Sequence, residues 1–335
     1  MFNSDMTKGC LLLVGTEDGV HSLFLLPDGK TRVLGAGLQG NAVRALAIHP
    51  DQSEVALIGC GLRGEGLYRT EDAGRTFRPV AFSHTWVWEV AFDPRDSETI
   101  YVGTEPPRIY ASHDGGITFA EFTAIDELPG RALWSFFYEP FKAGHIHGFA
   151  LHPDRPLRLL AAVEVGGLIA SYDGGKTWHE SLVGKDLHRV AVDPHQPDTL
   201  LAAADDGIYR SEDAGRTWKA ATELRGKYFH SVLFDRFMPG RVYVSGSDPE
   251  FPLARSDDGG SNWIQMGKEL PPAFAADNLA AHPRQEGVLF YGGNTPAQEG
   301  RLFVSVDSGH HWHALDWSGP RIWRLRAGVS PSFLT

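Results

Sequence analysis

The sequence predicts an all-β fold, a seven-bladed β-propeller of four-stranded antiparallel blades with one blade shared between the two ends of the chain. Three observations carry this. An Asp-containing turn recurs six times at intervals mostly in the forties, a short apolar strand ending in a polar residue and proline recurs in step with it, and each terminus holds the part of a blade that the other lacks. A length of 335 residues fits one large domain, 1–335, as readily as two average ones, so the internal repetition decides.

The elements follow in order. Residues 1–40 hold three strand-like runs, Leu11–Gly15, Val20–Leu26 and Thr31–Leu34, with no marker strand before them. The markers then come as Ile48-His49-Pro50, Phe92-Asp93-Pro94, Leu151-His152-Pro153, Val192-Asp193-Pro194, Ala281-His282-Pro283 and Val329-Ser330-Pro331. Phe234-Asp235-Arg236 fills the remaining place without proline. The turn unit stands at 70–77, 112–119, 171–178, 211–218, 256–263 and 305–312, as in Ser171-Tyr172-Asp173-Gly174-Gly175-Lys176-Thr177-Trp178. Its carboxylate can accept amides of its own turn, its glycine supplies positive φ, and its aromatic residue returns the chain to the core. Asp72, Asp114, Asp173, Asp213, Asp258 and Asp307 therefore read as structural. They lie 42, 59, 40, 45 and 49 residues apart, and the long interval marks an insertion at about 122–143. It carries Trp134, Phe136, Phe137, Tyr138 and Phe141, an aromatic lid in expectation. The last run, Arg321 to Ser330, is a marker strand with nothing after it, so it should complete the first blade and remove an open sheet edge.

Composition narrows the function. Lys and Arg total 31 against 42 Asp and Glu, a net charge of −11, and no basic run occurs. That argues against nucleic acid or an anionic membrane as partner. No apolar stretch approaches the roughly 18 residues of a membrane-spanning helix. Met1 to Met6 lacks the basic and apolar regions of a secretory signal, so a cytoplasmic location is expected. Cys10 and Cys60 are too few for a disulfide framework or a four-cysteine site and read as small buried hydrophobes.

Chemistry is expected on the face opposite the Asp turns, around the channel. Five residues before the polar marker residue stand Arg44, Trp88, His147, His188, His230, Asp277 and Leu325. Two residues earlier the column holds Trp86, His145, Asp186, Tyr228 and Trp323. Strand starts that only packed blades together would be apolar, and these are not. The opposite loops add Glu17, Glu105, Glu164 and Asp205. Three in-register histidines can hold a divalent cation such as zinc or manganese, so His147, His188 and His230 are candidate ligands, with Asp277 or Glu164 as a further ligand or base. A metal-free alternative uses His188 or His230 as acid or base with Glu164 and Tyr228, and no organic cofactor. Arg44 and Arg326, with Trp88, Trp134 and His145, are candidate contacts for an anionic substrate. A polar channel lining with internal arginine pairs stays open beside both. His49, His152, His282, His310, His311 and His313 read as structural or surface residues.

The turn unit is similar to the Asp-box, or bacterial neuraminidase repeat. The chain resembles bacterial BNR-repeat propellers of the glycosyl hydrolase or exo-sialidase-like kind. Relatives of that architecture include sialidases, other glycosidases, polysaccharide lyases, sortilin-type receptors and the photosystem II assembly factor. The sialidase pattern is not met, since no Arg-Ile-Pro occurs. The resemblance implies a hydrolase or lyase for a small anionic or carbohydrate-derived substrate, aided in some such lyases by a metal. It also admits a non-catalytic scaffold that binds a protein partner, as the assembly factor does.

Overall fold

The computed structural model describes residues 9–135, 139–141, 143–273 and 277–334. Its short Val-, Leu- and Ala-rich runs, cut by Gly, Asp and Pro, form seven four-stranded antiparallel sheets. Blade 1 pairs Ile322–Val329 with Cys10–Thr16, followed by Gly19–Leu25 and Thr31–Gly37. Blades 2 to 7 occupy 43–81, 86–121, 146–181, 187–220, 229–266 and 279–319, each a meander from the axis outward. The C-terminal strand is thus the innermost strand of the first sheet, as expected, with Cys10 opposite Val329 and Val14 opposite Leu325.

Strand alternation sends successive side chains to the two neighbouring blades. Leu11 and Leu13 join Val43, Leu46 and Ile58 of blade 2, whereas Leu12 and Val14 join Phe290, Leu302 and Val304 of blade 7. Seven such apolar clusters, one at each junction, make up the core. Cys10 and Cys60 are buried in two of them as free thiols. Burial pushes the Cys60 thiol up to about 12.

The repeated turn behaves as its residues require. Asp173 Oδ1 accepts the Lys176 and Thr177 amides at 3.1 and 2.9 Å, and Oδ2 accepts the Thr177 hydroxyl at 2.6 Å. Gly175, at φ +86°, donates its amide to the Ser171 hydroxyl, and Trp178 Nε1–H returns to the Gly175 carbonyl.

The innermost strands share one irregularity that matters for the site. The ladder slips between Val43 and Ala45, Val87 and Glu89, Ile146 and Gly148, Leu187 and Arg189, and Phe229 and Ser231. The residues left over are Arg44, Trp88, His147, His188 and His230, so the polar column is a column of β-bulges. A bulge swings one side chain out of the alternation. In the closing strand the slip falls at Trp323, not Leu325. This corrects the count from the proline marker, because Leu325 and Arg324 pair regularly with Val14 and Gly15 first. Leu325 is wholly buried in the cluster between blades 7 and 1.

Candidate functional site

An innermost strand has no neighbour on its axial side, so its carbonyls need partners from elsewhere. The bulged histidines supply them. His147 donates its Nδ1–H to the His188 carbonyl at 2.6 Å, and His188 donates its own to the Phe229 carbonyl at 2.8 Å. Each imidazole thereby reaches the inner strand of the next blade, its tautomer is fixed, and Nε2 is left toward the channel. Ring centroids of His147 and His188 lie 5.6 Å apart, and those of His188 and His230 lie 4.8 Å apart. The three rings are consecutive neighbours, as the column implied.

Glu164, at the end of its strand, is the ionic hub. Its Oε2 is 2.6 Å from His145 Nε2 and 3.6 Å from His147 Nε2. Glu105 lies 3.5 Å from His145 Nδ1. Gly144 permits this approach, since a Cβ there would come within 2.5 Å of the Glu164 carbonyl oxygen. Burial alone would raise the Glu164 carboxyl, but the His145 charge and hydrogen bond outweigh it and hold it well below the ordinary range. Burial opposes a charged His145 as well, and Glu164 and Glu105 together outweigh it, so that ring is raised. Burial dominates at His147 and His230, which are pushed well down and stay neutral. Glu164 is thus a largely buried counter-charge to His145 and His147.

His188 differs from the other two. Its Nε2 meets the Tyr228 hydroxyl at 3.0 Å and Asp186 Oδ1 at 3.5 Å. Burial would lower this ring, but the Asp186 hydrogen bond and charge raise it. The Tyr228 ring stacks on His188 at 4.8 Å and is 37% exposed, so the trio reaches solvent. Burial, with Asp186 nearby, pushes the Tyr228 phenol up.

Arginines and tryptophans fill the other side. The Arg44 guanidinium lies 4.2 Å from the Trp88 ring and 4.2 Å from the Trp323 ring. Arg321 caps Trp323 at 4.3 Å, and Trp88 stacks on His145 at 3.6 Å. The side chains of Arg321, Trp323, Arg44, Trp88 and His145 thus form one stack across four blades. Arg44 is buried, and its Nε and Nη1 find no hydrogen-bond acceptor among the described residues. Burial and the neighbouring Arg324 charge lower it well below its usual value. Arg324, wholly buried and lowered to about 10 by burial, donates to the Trp88 carbonyl at 3.4 Å.

Several expectations are corrected. Asp277 is not with the histidines: its Oδ1 accepts the Ser231 hydroxyl at 2.8 Å, and its Oδ2 forms ion pairs with Arg326 at 2.6 Å and Arg189 at 3.3 Å. Arg326 is accordingly paired inside the protein, the alternative left open for the arginines, and Arg189 also pairs with Glu89 at 3.0 Å. Trp134 lies in the apolar cluster between blades 3 and 4 and is buried, so it anchors the insertion instead of facing a substrate. Trp88 and His145 are fully buried and shape the site without lining its open edge. Phe136, Phe137 and Tyr138 of the expected lid lie outside the described residues; what is described of the insertion includes two 3-10 turns, Thr123–Glu127 and Pro129–Leu133. Among the described residues, ligand-type atoms converge in two groups, His145–His147–Glu164 and Glu164–Asp186–His188, and neither includes His230. The partnership of Asp186 with His188 was not anticipated, although Asp186 stands in the column two residues ahead. His49, His152 and His282 are structural, each Nδ1 accepting a backbone amide of the marker turn.

Residues 206–324 match the Sortilin-Vps10 family model, described as sortilin, neurotensin receptor 3. The chain is similar to the oligoxyloglucan-reducing end-specific xyloglucanase of Emericella nidulans, 25% identical over 202 residues, covering 51% of this chain and 24% of that protein. It is 26% identical over 281 residues to the xyloglucanase of Hypocrea jecorina, covering 77% and 29%. Sortilin of Mus musculus is 23% identical over 276 residues, covering 72% and 29%. The chain spans about a quarter of the length of these relatives. Among solved structures, an ancestral GH74 enzyme gives a TM-score of 0.60 at 16% identity, covering 87% of this chain and 38% of its own. YCF48 bound to D1 peptide gives 0.55 at 18% identity, covering 82% of each chain. The structural likenesses establish the propeller.

Proposed function

We propose that the channel mouth is the acid–base site of a hydrolase or lyase acting on a small anionic, carbohydrate-derived substrate. The observation that carries this is the Tyr228–His188–Asp186 relay at the solvent edge of an otherwise buried polar cluster. With Nδ1–H committed to the Phe229 carbonyl, the neutral His188 ring can only accept at Nε2, where the Tyr228 hydroxyl sits. Proton transfer to that nitrogen creates a cation facing Asp186, which favours it. Tyr228 is then the group that meets the substrate oxygen, and His188 takes and returns its proton. Arg44, buried between Trp88 and Trp323 with its Nε and Nη1 not hydrogen-bonded among the described residues, supplies the charge for a carboxylate. The similarity to xyloglucanases supports a carbohydrate substrate.

The test is turnover of uronate-containing and xyloglucan-derived oligosaccharides, read as new reducing ends for hydrolysis or as conjugated double-bond absorbance for elimination. Tyr228→Phe should lower kcat by about 100-fold or more with KM little changed. Arg44→Met should raise KM for acidic substrates selectively. Unchanged kinetics in both variants would end this reading. Complete burial of Trp88, His145 and Arg324 favours a second one, a non-catalytic module whose polar cluster only locks the ring, for which no turnover of any such substrate is the expected result.

A further inference from the structure

We propose that His145, His147 and Glu164 form a transition-metal site, with Zn²⁺ the cation that suits it best. This differs from the three-histidine set read from the sequence, and it does not depend on the acid–base reading above. One imidazole nitrogen each of His145, just before an inner strand, and His147, within it, and one carboxylate oxygen of Glu164 lie within 4.8 Å of one another, and the Nε2 atoms stand 2.6 and 3.6 Å from Glu164 Oε2. Two nitrogens and one oxygen with a fourth position open is a donor set of catalytic zinc, and imidazole excludes magnesium and calcium as natural occupants.

The outer contacts make this more than a cluster of ionisable groups. A ligating histidine needs its other ring nitrogen held by an acceptor, which orients the ring and sets the tautomer. Glu105 faces His145 Nδ1 at 3.5 Å, and the His188 carbonyl accepts from His147 Nδ1 at 2.6 Å. Both rings therefore direct Nε2 to the same carboxylate oxygen. Trp88 stacks on His145 and fixes its plane. The separation of 3.6 Å from His147 Nε2 to Glu164 already approximates the spacing of two ligands about a tetrahedral ion, roughly 3.3 Å for bonds near 2.05 Å. The 2.6 Å separation of His145 Nε2 and Glu164 Oε2 is shorter than the spacing of two ligands of one ion, so the carboxylate must move outward to admit the cation. Glu164, whose side chain is 12% exposed against 0% and 3% for His145 and His147, is the most accessible of the three ligands. Asp186, with its side chain 20% exposed, has a carboxylate oxygen within 4.8 Å of one of Glu164.

The experiment uses the full chain without an affinity tag, stripped by a chelator and titrated with zinc chloride and, separately, with cobalt(II) chloride. One ion per chain should bind, with cobalt showing the visible bands of a low-coordinate nitrogen–oxygen centre. Glu164→Gln should lower zinc affinity more than about 100-fold, and Glu105→Gln by about 10- to 100-fold, the latter with no change of stoichiometry. The exposed pair His311 and His313 is the control, and His311→Ala with His313→Ala should leave affinity unchanged. Binding that survives Glu164→Gln but is lost in that control, or no binding at micromolar zinc, would overturn the proposal. Circular dichroism of each metal-free variant establishes that it is folded, and His147→Gln replaces Glu164→Gln if the latter is not.

Discussion

Arg44 is a buried cation held by two indole faces instead of a carboxylate. Its charge is disfavoured by burial and by Arg324, and is offset by the two rings at 4.2 Å and by the charges of Glu164 and Glu105. A site of this kind trades stability for binding. Arg44→Met, similar in length and without charge, should raise the stability to denaturant by about 1 kcal/mol while weakening any anionic ligand; a loss of stability would show that the stack outweighs burial. At His188 the direction is set by Asp186. Asp186→Asn should lower the imidazole pKa of metal-free protein, followed by NMR of the ring protons. Because the folded-state pKa is raised, the stability His188 contributes is full below its unfolded value near 6.5 and fades as pH rises through the folded one. The substitution should therefore destabilise the protein more at pH 6 than at pH 9.

At the level of the strand, the polar column was legible because the proline marker gives a fixed origin for counting. What could not be read was the bulge that makes the column face inward. Its trace was present, as a small residue near the end of the apolar second strand: Gly15, Gly59 and Gly103. A Cβ at Gly103 would lie 2.5 Å from Ile146 of the next blade, the residue between His145 and His147. Gly103→Ala should cost about 1–3 kcal/mol in unfolding free energy, by overpacking that junction. Trp134 was misjudged for a related reason: the sequence shows an aromatic insertion, whereas its burial depends on Ile125 and Val163 from other elements. The Asp turns, by contrast, are local and were readable in full. Thr118 and Thr177 hydroxyls, then backbone amides, lower Asp114 and Asp173 to about 2. At Asp213 and Asp258 hydrogen bonds overcome burial to the same value. A depressed carboxylate stabilises above its unfolded pKa and ceases to as pH falls through the folded one, so stability should drop cooperatively between about pH 4 and 2. Replacing these four aspartates with asparagine should flatten that acid limb in a denaturation series.

For the ring as a whole, the terminal strand is decisive. Ile322–Val329 covers the axial edge of Cys10–Thr16 and contributes Ile322 and Leu325 to the junction of blades 7 and 1. A chain ending before Arg321 should lose near-UV circular dichroism and associate, and a folded, monodisperse truncation would refute the closure argument. That closure was foreseeable from complementary termini, whereas the exact register was not, since two extra pairs precede the bulge there. The same irregularity repeated from blade to blade has another implication. Six of the seven inner strands, all but that of blade 7, offer one residue freed from sheet alternation, on a frame whose stability resides in the junctions. Chemistry at the mouth can then be rewritten one spoke at a time, imidazole for guanidinium for indole, without redesigning the wheel that carries it.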